Sequence, residues 1–207
     1  GDNQPREWDF HVEDFMPERM ALNLTPQAAP VAPDADVTFG VSGAYLYGAP
    51  ASGNQLQGKL FLRPLRDAVA ALPGFQFGDI AEENLSRSLD EVQLTLDEKG
   101  HGEVTTSSQW QDSHSPLQVV LQASLLESGG RPVTRTVKQP IWPAEALPGI
   151  RPQFTLKDVY DYRTDTTVKQ PVVDENSNAA FDIVYADVKG EKKAISGLQV
   201  RLIRERR

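Results

Sequence analysis

Three histidines, His11, His101 and His114, are the first candidates for metal ligation or proton transfer in this chain of 207 residues. None has the short, regular spacing to a second imidazole or thiolate that a metal site needs. His101 lies between two glycines and reads as a solvated turn residue. Asp79 with Glu82 and Glu83, and Asp158 with Asp161, could pair as acid and base or hold calcium. They lack the alternating acidic positions and fixed glycine of a calcium loop, so they are predicted to be solvated acidic loops. Ser42-Gly43 and Ser128-Gly129 have turn chemistry without the G-x-S-x-G setting of a nucleophile elbow. With no cysteine there is no disulfide, thiolate metal site or thiol nucleophile. The sequence therefore offers no catalytic, cofactor-binding or metal-ligating residue.

The charge balance narrows the partners. Acidic residues number 29 against 21 basic ones, a net charge of −8 that argues against nucleic-acid binding, which needs a basic face. Arg201, Arg204, Arg206 and Arg207 form a local basic cluster, read as decoration of an edge strand. No apolar run approaches the length of about 18 residues that a membrane helix requires. The polar start, Gly1-Asp2-Asn3-Gln4-Pro5-Arg6-Glu7, lacks the features of a signal peptide and reads as the middle of a longer protein.

The elements that would hold any site are strands. Residues 36–64 carry the densest pattern: Val37, Phe39 and Val41 alternate with Thr38, Gly40 and Ser42, and Tyr45-Leu46-Tyr47 follows. After a break at 48–54 comes a second run containing Leu56, Leu60 and Leu62. Period-two alternation around a Pro/Gly-rich break predicts a hairpin, with Tyr45 and Tyr47 facing inward or into an interface. Trp8, Phe10 and Val12, and then Met20, Leu22 and Leu24, predict strands on either side of Pro17. Residues 65–91 lose the period; they read as a packed insertion with a short helix over 65–72. Val92, Leu94 and Leu96 return to alternation and Val104 begins the strand after the turn. Leu117, Val119, Leu121 and Ala123 form a strong strand that turns at 127–131 into Val133, Arg135 and Val137. Residues 144–149 read as a linker, 154–156 as a short strand and 161–178 as a loop. Phe181, Ile183 and Tyr185 then pair with 195–202 in a second hairpin. The two hairpins suggest tandem copies of one all-β, antiparallel β-sandwich module of fibronectin- or immunoglobulin-like type. The expected division is an entry strand or end of a preceding domain at 1–12, a sandwich at 13–143 and the first part of a second sandwich at 150–207.

Particular residues go further than the pattern. The run Phe10-His11-Val12-Glu13-Asp14-Phe15-Met16-Pro17 resembles a junction between macroglobulin-like domains of the alpha-2-macroglobulin family. Tyr45-Leu46-Tyr47-Gly48-Ala49-Pro50 resembles that family's Tyr-x-Tyr-Gly-x-Pro hairpin. Pro73-Gly74-Phe75-Gln76-Phe77-Gly78 and the ending from Gly197 to Arg207 are similar to its bacterial branch. The resemblance implies macroglobulin-like sandwiches within a periplasmic, multidomain lipoprotein anchored to the inner membrane. Such a protein is an endopeptidase inhibitor: a protease cuts a bait region and is captured by an exposed thioester. The thioester needs a Cys-x-Glu-Gln segment, which a chain without cysteine lacks, so the reactive centre would lie elsewhere; no bait region stands out either, the exposed-looking stretch 161–178 reading as an ordinary connecting loop. Its implied role is non-catalytic scaffold, its partners the neighbouring macroglobulin-like domains and, through the parent, proteases. Two other readings stay open: a ligand-binding or adhesin-type sandwich, which exposed clustered aromatics would favour, and an enzyme working through Asp79, Glu82 and Glu83 in a concave pocket.

Overall fold

The computed structural model describes residues 17–79, 81–161 and 165–201. The strand expected over Trp8, Phe10 and Val12, the candidate His11, the junction residues 13–16, Leu202 and the basic residues Arg204, Arg206 and Arg207 lie outside the described residues. Those that are described form twelve strands and no helix.

Seven strands in two sheets build the first unit. β1 (Met20–Thr25), β2 (Val37–Tyr45) and β6 (His101–Thr106) form one sheet in the order β1-β2-β6. β3 (Gln55–Pro64), β5 (Arg87–Thr95), β7 (Leu117–Leu125) and β8 (Val133–Ile141) form the other, in the order β5-β3-β7-β8. All pairings are antiparallel. Alternation decides the inner faces: Val37, Phe39 and Val41 from one sheet meet Leu56, Leu60, Leu62 and the whole odd-numbered row Leu117 to Leu125 from the other, all buried in one core. Within this core the anticipated strong hairpin over 117–137 forms as β7–β8.

The anticipated hairpin over 36–64 does not form. β2 has both edges taken by β1 and β6, while β3 pairs with β5 and β7, so the two runs lie in opposite sheets. The break at 46–54 carries the chain across, closed by Tyr45 N–H to Ala49 O at 2.8 Å and Ala51 N–H to Gly43 O at 3.0 Å. Alternation fixes which side chains point inward but says nothing about which edge pairs. Sandwiches exploit this freedom.

β9 (Leu147–Pro152) and β12 (Phe181–Ala186) pair with each other, and β4 (Gln76–Phe77) completes their sheet in the order β12-β9-β4. A second core gathers Val184 and Ala186 with Val69, Phe75, Phe77 and Trp142. β10 (Thr155–Asp161) and β11 (Thr166–Val172) form a separate two-stranded ribbon. Four expectations change here. Residues 65–72 are bends and turns, not helix. β9 starts inside the stretch read as linker, and Ala146 before it is buried. Residues 166–172, read as loop, are strand. The partner of 181–186 is β9 rather than 195–201, which has no strand. The misplaced bounds and partner of β9 and β12 share one cause: short strands whose partners are remote in sequence carry little local signal.

Candidate functional site

The carboxylates around Asp79 do come together with a histidine and two serines, at one end of the first core. Ser115 is fully buried, and its Oγ accepts the Asp79 N–H at 2.8 Å. The Asp79 carboxylate accepts the Ala81 N–H at 2.8 Å. Glu82 Oε1 accepts the backbone N–H of His114 at 3.1 Å, so the histidine meets the carboxylate through its main chain. Ser113 Oγ donates to Ser115 O and accepts Ser115 N–H, both at 3.2 Å. Glu82 Oε2 is buried without a hydrogen bond of ordinary geometry. Burial pushes the Glu82 carboxyl up; the nearby Ser115 hydroxyl, the His114 N–H and the Ser113 hydroxyl outweigh it and hold the group below its usual range. A general acid needs the opposite, a carboxyl raised toward neutrality. This arrangement ties the 79–85 loop to the 113–115 turn. Glu83 lines the shallow depression beside it with Trp110 and Asp112.

The other candidates stay apart. The Asp97 carboxyl is held below its usual range by the His101 N–H it accepts, at 2.8 Å, and by the Lys99 N–H, which makes a turn lock. Asp158 faces Lys169 across the ribbon at 3.3 Å. Ser42 sits within β2, Ser128 in the turn before β8, and Arg201 is exposed. Among the described residues no group of three or more His, Asp or Glu side chains is placed to hold a metal ion.

Two features escaped the sequence reading. The first is the tip at the end of β2. Tyr45 is half-buried and stacks on Tyr47 with centroids 5.2 Å apart, but Tyr47 is 79% exposed and Leu46 69%. Of the two tyrosines expected to face inward or into an interface, Tyr45 packs on the first core, while Tyr47 stays on the surface where the chain turns at Gly48, at φ +101°. The second is the junction of the two cores. Ile141 is buried in the first and its neighbour Trp142 in the second. Phe77 lies 5.6 Å from the Trp142 ring and against Gly149, where a Cβ would come within 2.7 Å of the phenyl. The Arg151 guanidinium stacks 4.5 Å over Phe75 and bonds Asp182 at 2.8 Å, which holds the Asp182 carboxyl below its usual range. Only the Pro-Gly-Phe-Gln-Phe-Gly run hinted at this, through its two aromatics in a stretch without strand period.

Residues 18–143 match the family described as bacterial alpha-2-macroglobulin MG5 domain. The chain belongs to the bacterial alpha-2-macroglobulin family. It is 76% identical to Escherichia coli alpha-2-macroglobulin over all 207 residues, and it spans 12% of that protein's length. A crystal structure of trypsin-activated E. coli alpha-2-macroglobulin superposes on the whole chain with a TM-score of 0.85 at 76% identity, the chain covering 14% of that structure. The native conformation of the E. coli protein, seen by cryo-electron microscopy, covers 95% of the chain with a TM-score of 0.84 at 75% identity; the chain spans 12% of it. The all-β, macroglobulin-type architecture and the resemblance read from the Tyr-Leu-Tyr-Gly-Ala-Pro tip and the Pro-Gly-Phe run agree with these matches. Within the alpha-2-macroglobulin frame the MG5 match takes in both sheets of the first sandwich together with β4.

Proposed function

We propose that this segment is non-catalytic scaffold in a bacterial alpha-2-macroglobulin, a protease trap whose bait and thioester regions lie outside residues 1–207. The observation that carries this reading is the pair of superpositions. One neighbour is a native conformation and another is trypsin-activated, and the chain fits both over 95% or more of its length with TM-scores of 0.84 and 0.85. A part that keeps its shape on both sides of a rearrangement is suited to transmitting or supporting it. The finer reading is a macroglobulin-like sandwich at 13–143 and the first part of a second beyond 150. Its partners would be neighbouring macroglobulin-like domains and, through the parent, captured proteases. The parent would be periplasmic and lipid-anchored to the inner membrane, which fractionation of cells expressing the full-length protein tests.

The decisive experiment for the segment is titration of trypsin with purified 1–207. The expected outcome is no stoichiometric inhibition and no hydrolysis of peptide substrates; inhibition at a one-to-one ratio overturns the scaffold reading. The exposed Leu46–Tyr47 tip is the single observation that favours the second reading, a ligand-binding sandwich. It predicts a ligand whose binding is lost in Tyr47→Ser, and none is required by the first reading.

A further inference from the structure

We infer that the connection 65–79 is a strap: it leaves the first sandwich, supplies a strand and core to the second unit, and returns, so that the two units fold and move as one body. Independent motion is the ordinary expectation for two units in a chain unless their interface is apolar and well packed. Here it is both. Among the described residues the second core has six buried members and draws Val69, Phe75 and Phe77 from the strap and Trp142 from just after β8. Among the described residues, the second unit's own buried contribution is Val184 and Ala186, with Leu147 and Val188 packed at the edge. Without the strap and Trp142 that core would lose most of its members.

The strap is held at both ends by the first sandwich. Leu65 N–H donates to Pro116 O at 2.9 Å, and Asp79 N–H to the buried Ser115 Oγ at 2.8 Å. Between these anchors it is closed on itself: Phe77 N–H donates to Arg66 O at 3.0 Å, and Arg66 Nη2 to Asp79 O at 3.0 Å. Gly78, at φ +93°, passes so near Ser115 that a Cβ would come within 2.6 Å of its Oγ.

Its middle is held by the second unit through three kinds of contact. Gln76 and Phe77 add to the edge of β9 opposite Ile150 and Gly149, a strand-addition contact made within one chain. Arg151 stacks on Phe75 and donates to Pro73 O at 3.4 Å. The turn at Gly190 lies against Ala71 and Val69, with 2.8 and 3.3 Å between them and a Cβ built there. The adjacency of Ile141 and Trp142 removes the remaining slack, because consecutive residues of one chain segment belong to different cores. The scaffold reading gains a mechanism from this: displacement of the second unit is passed directly to the first sandwich.

The absence of cysteine permits a clean test on the full 207-residue chain. Spin labels on Gln57→Cys and Lys189→Cys, both exposed positions in the two units, report the inter-unit distance by pulsed electron resonance. Amide exchange at Val184 and Ala186, against Leu60 and Leu121, reports local protection. The expected result is one narrow distance distribution that broadens in Phe77→Ala. Exchange at Val184 and Ala186 should accelerate by about a hundredfold in the same variant. Equal acceleration at Leu60 and Leu121 supports the single body as well. A broad distribution in the parent chain, or protection at 184 and 186 unchanged in Phe77→Ala, overturns the strap. The rim variant Gln76→Ser, whose side chain is exposed, should leave both readouts unchanged. Failure of the scaffold reading through protease inhibition by the segment would leave the distances as they are, so the two tests fail separately.

Discussion

At the scale of single residues, energetic weight and chemical look diverge. Leu60 is one unremarked leucine in an alternating run, yet it is 1% exposed in the first core. Leu60→Ala is expected to cost about 2–5 kcal/mol, read as a lowered midpoint in urea unfolding. An unchanged midpoint would show that β3 is not core. Asp182 offers a pH-dependent counterpart. Arg151 bonds its carboxylate and holds its pKa down, so the group stabilises the fold above its unfolded pKa of about 3.9. That stabilisation is lost as pH falls through the folded value. In Asp182→Asn the loss of stability below about pH 4 should be shallower than in the parent chain, measured by thermal midpoints across pH 3–6. The candidate cluster was half legible at this scale. Asp79, Glu82 and Glu83 were visible as a group, but the backbone N–H of His114 and the hydroxyl of Ser115 that define their role were not. Main-chain contacts between distant loops leave no residue type to read.

At the scale of elements, strand existence was legible wherever one face is buried and the other wet. β1, β2, β3, β7 and β8 all show this alternation, and all were found. Pairing was legible only where a tight turn joins neighbours, as in β7–β8. β4, with two residues, and β11, with mixed polarity, offer no period to detect. The β10–β11 ribbon also differs energetically from the rest. It pairs only with itself, and Leu156 and Tyr160 are 59% and 46% exposed. A two-stranded ribbon with little covered apolar surface is marginally stable in water. Trypsin at limiting dose should therefore cleave at Lys157 or Lys169 before any site in 37–141, as resolved by mass spectrometry of the time course. First cleavage within the sandwich would contradict this ranking.

At the scale of the whole molecule, the two sheets of the first sandwich cover one another, while among the described residues the sheet β12-β9-β4 is covered on one side. Val184 and Ala186 face the second core; Ile183, Phe181 and Ile150 alternate to the other face and are 45%, 43% and 42% exposed. An uncovered apolar sheet face drives association in water. The isolated chain is expected to self-associate at high concentration, and Ile183→Glu to reduce this without moving the unfolding midpoint of the first sandwich. Light scattering across a concentration series checks it; identical scattering in both proteins would place the sticky surface elsewhere.

Gln139 gives the sandwich a timetable. Its side chain is fully buried in β8, accepting the Gln27 N–H at 2.7 Å and donating to Ala29 O at 3.0 Å. These partners lie 112 and 110 residues earlier in the chain. On a ribosome adding about 5–20 residues per second, the loop after β1 must wait roughly 6–22 s for the side chain that seals it. Through that interval Met20 and Leu22 have no lid from β8, and any holdase that shields nascent apolar segments has its opportunity there. Slowing translation between the codons for Gln27 and Gln139 should prolong chaperone association with the nascent chain, and an unchanged association time would show that β1 needs no shelter before β8 arrives.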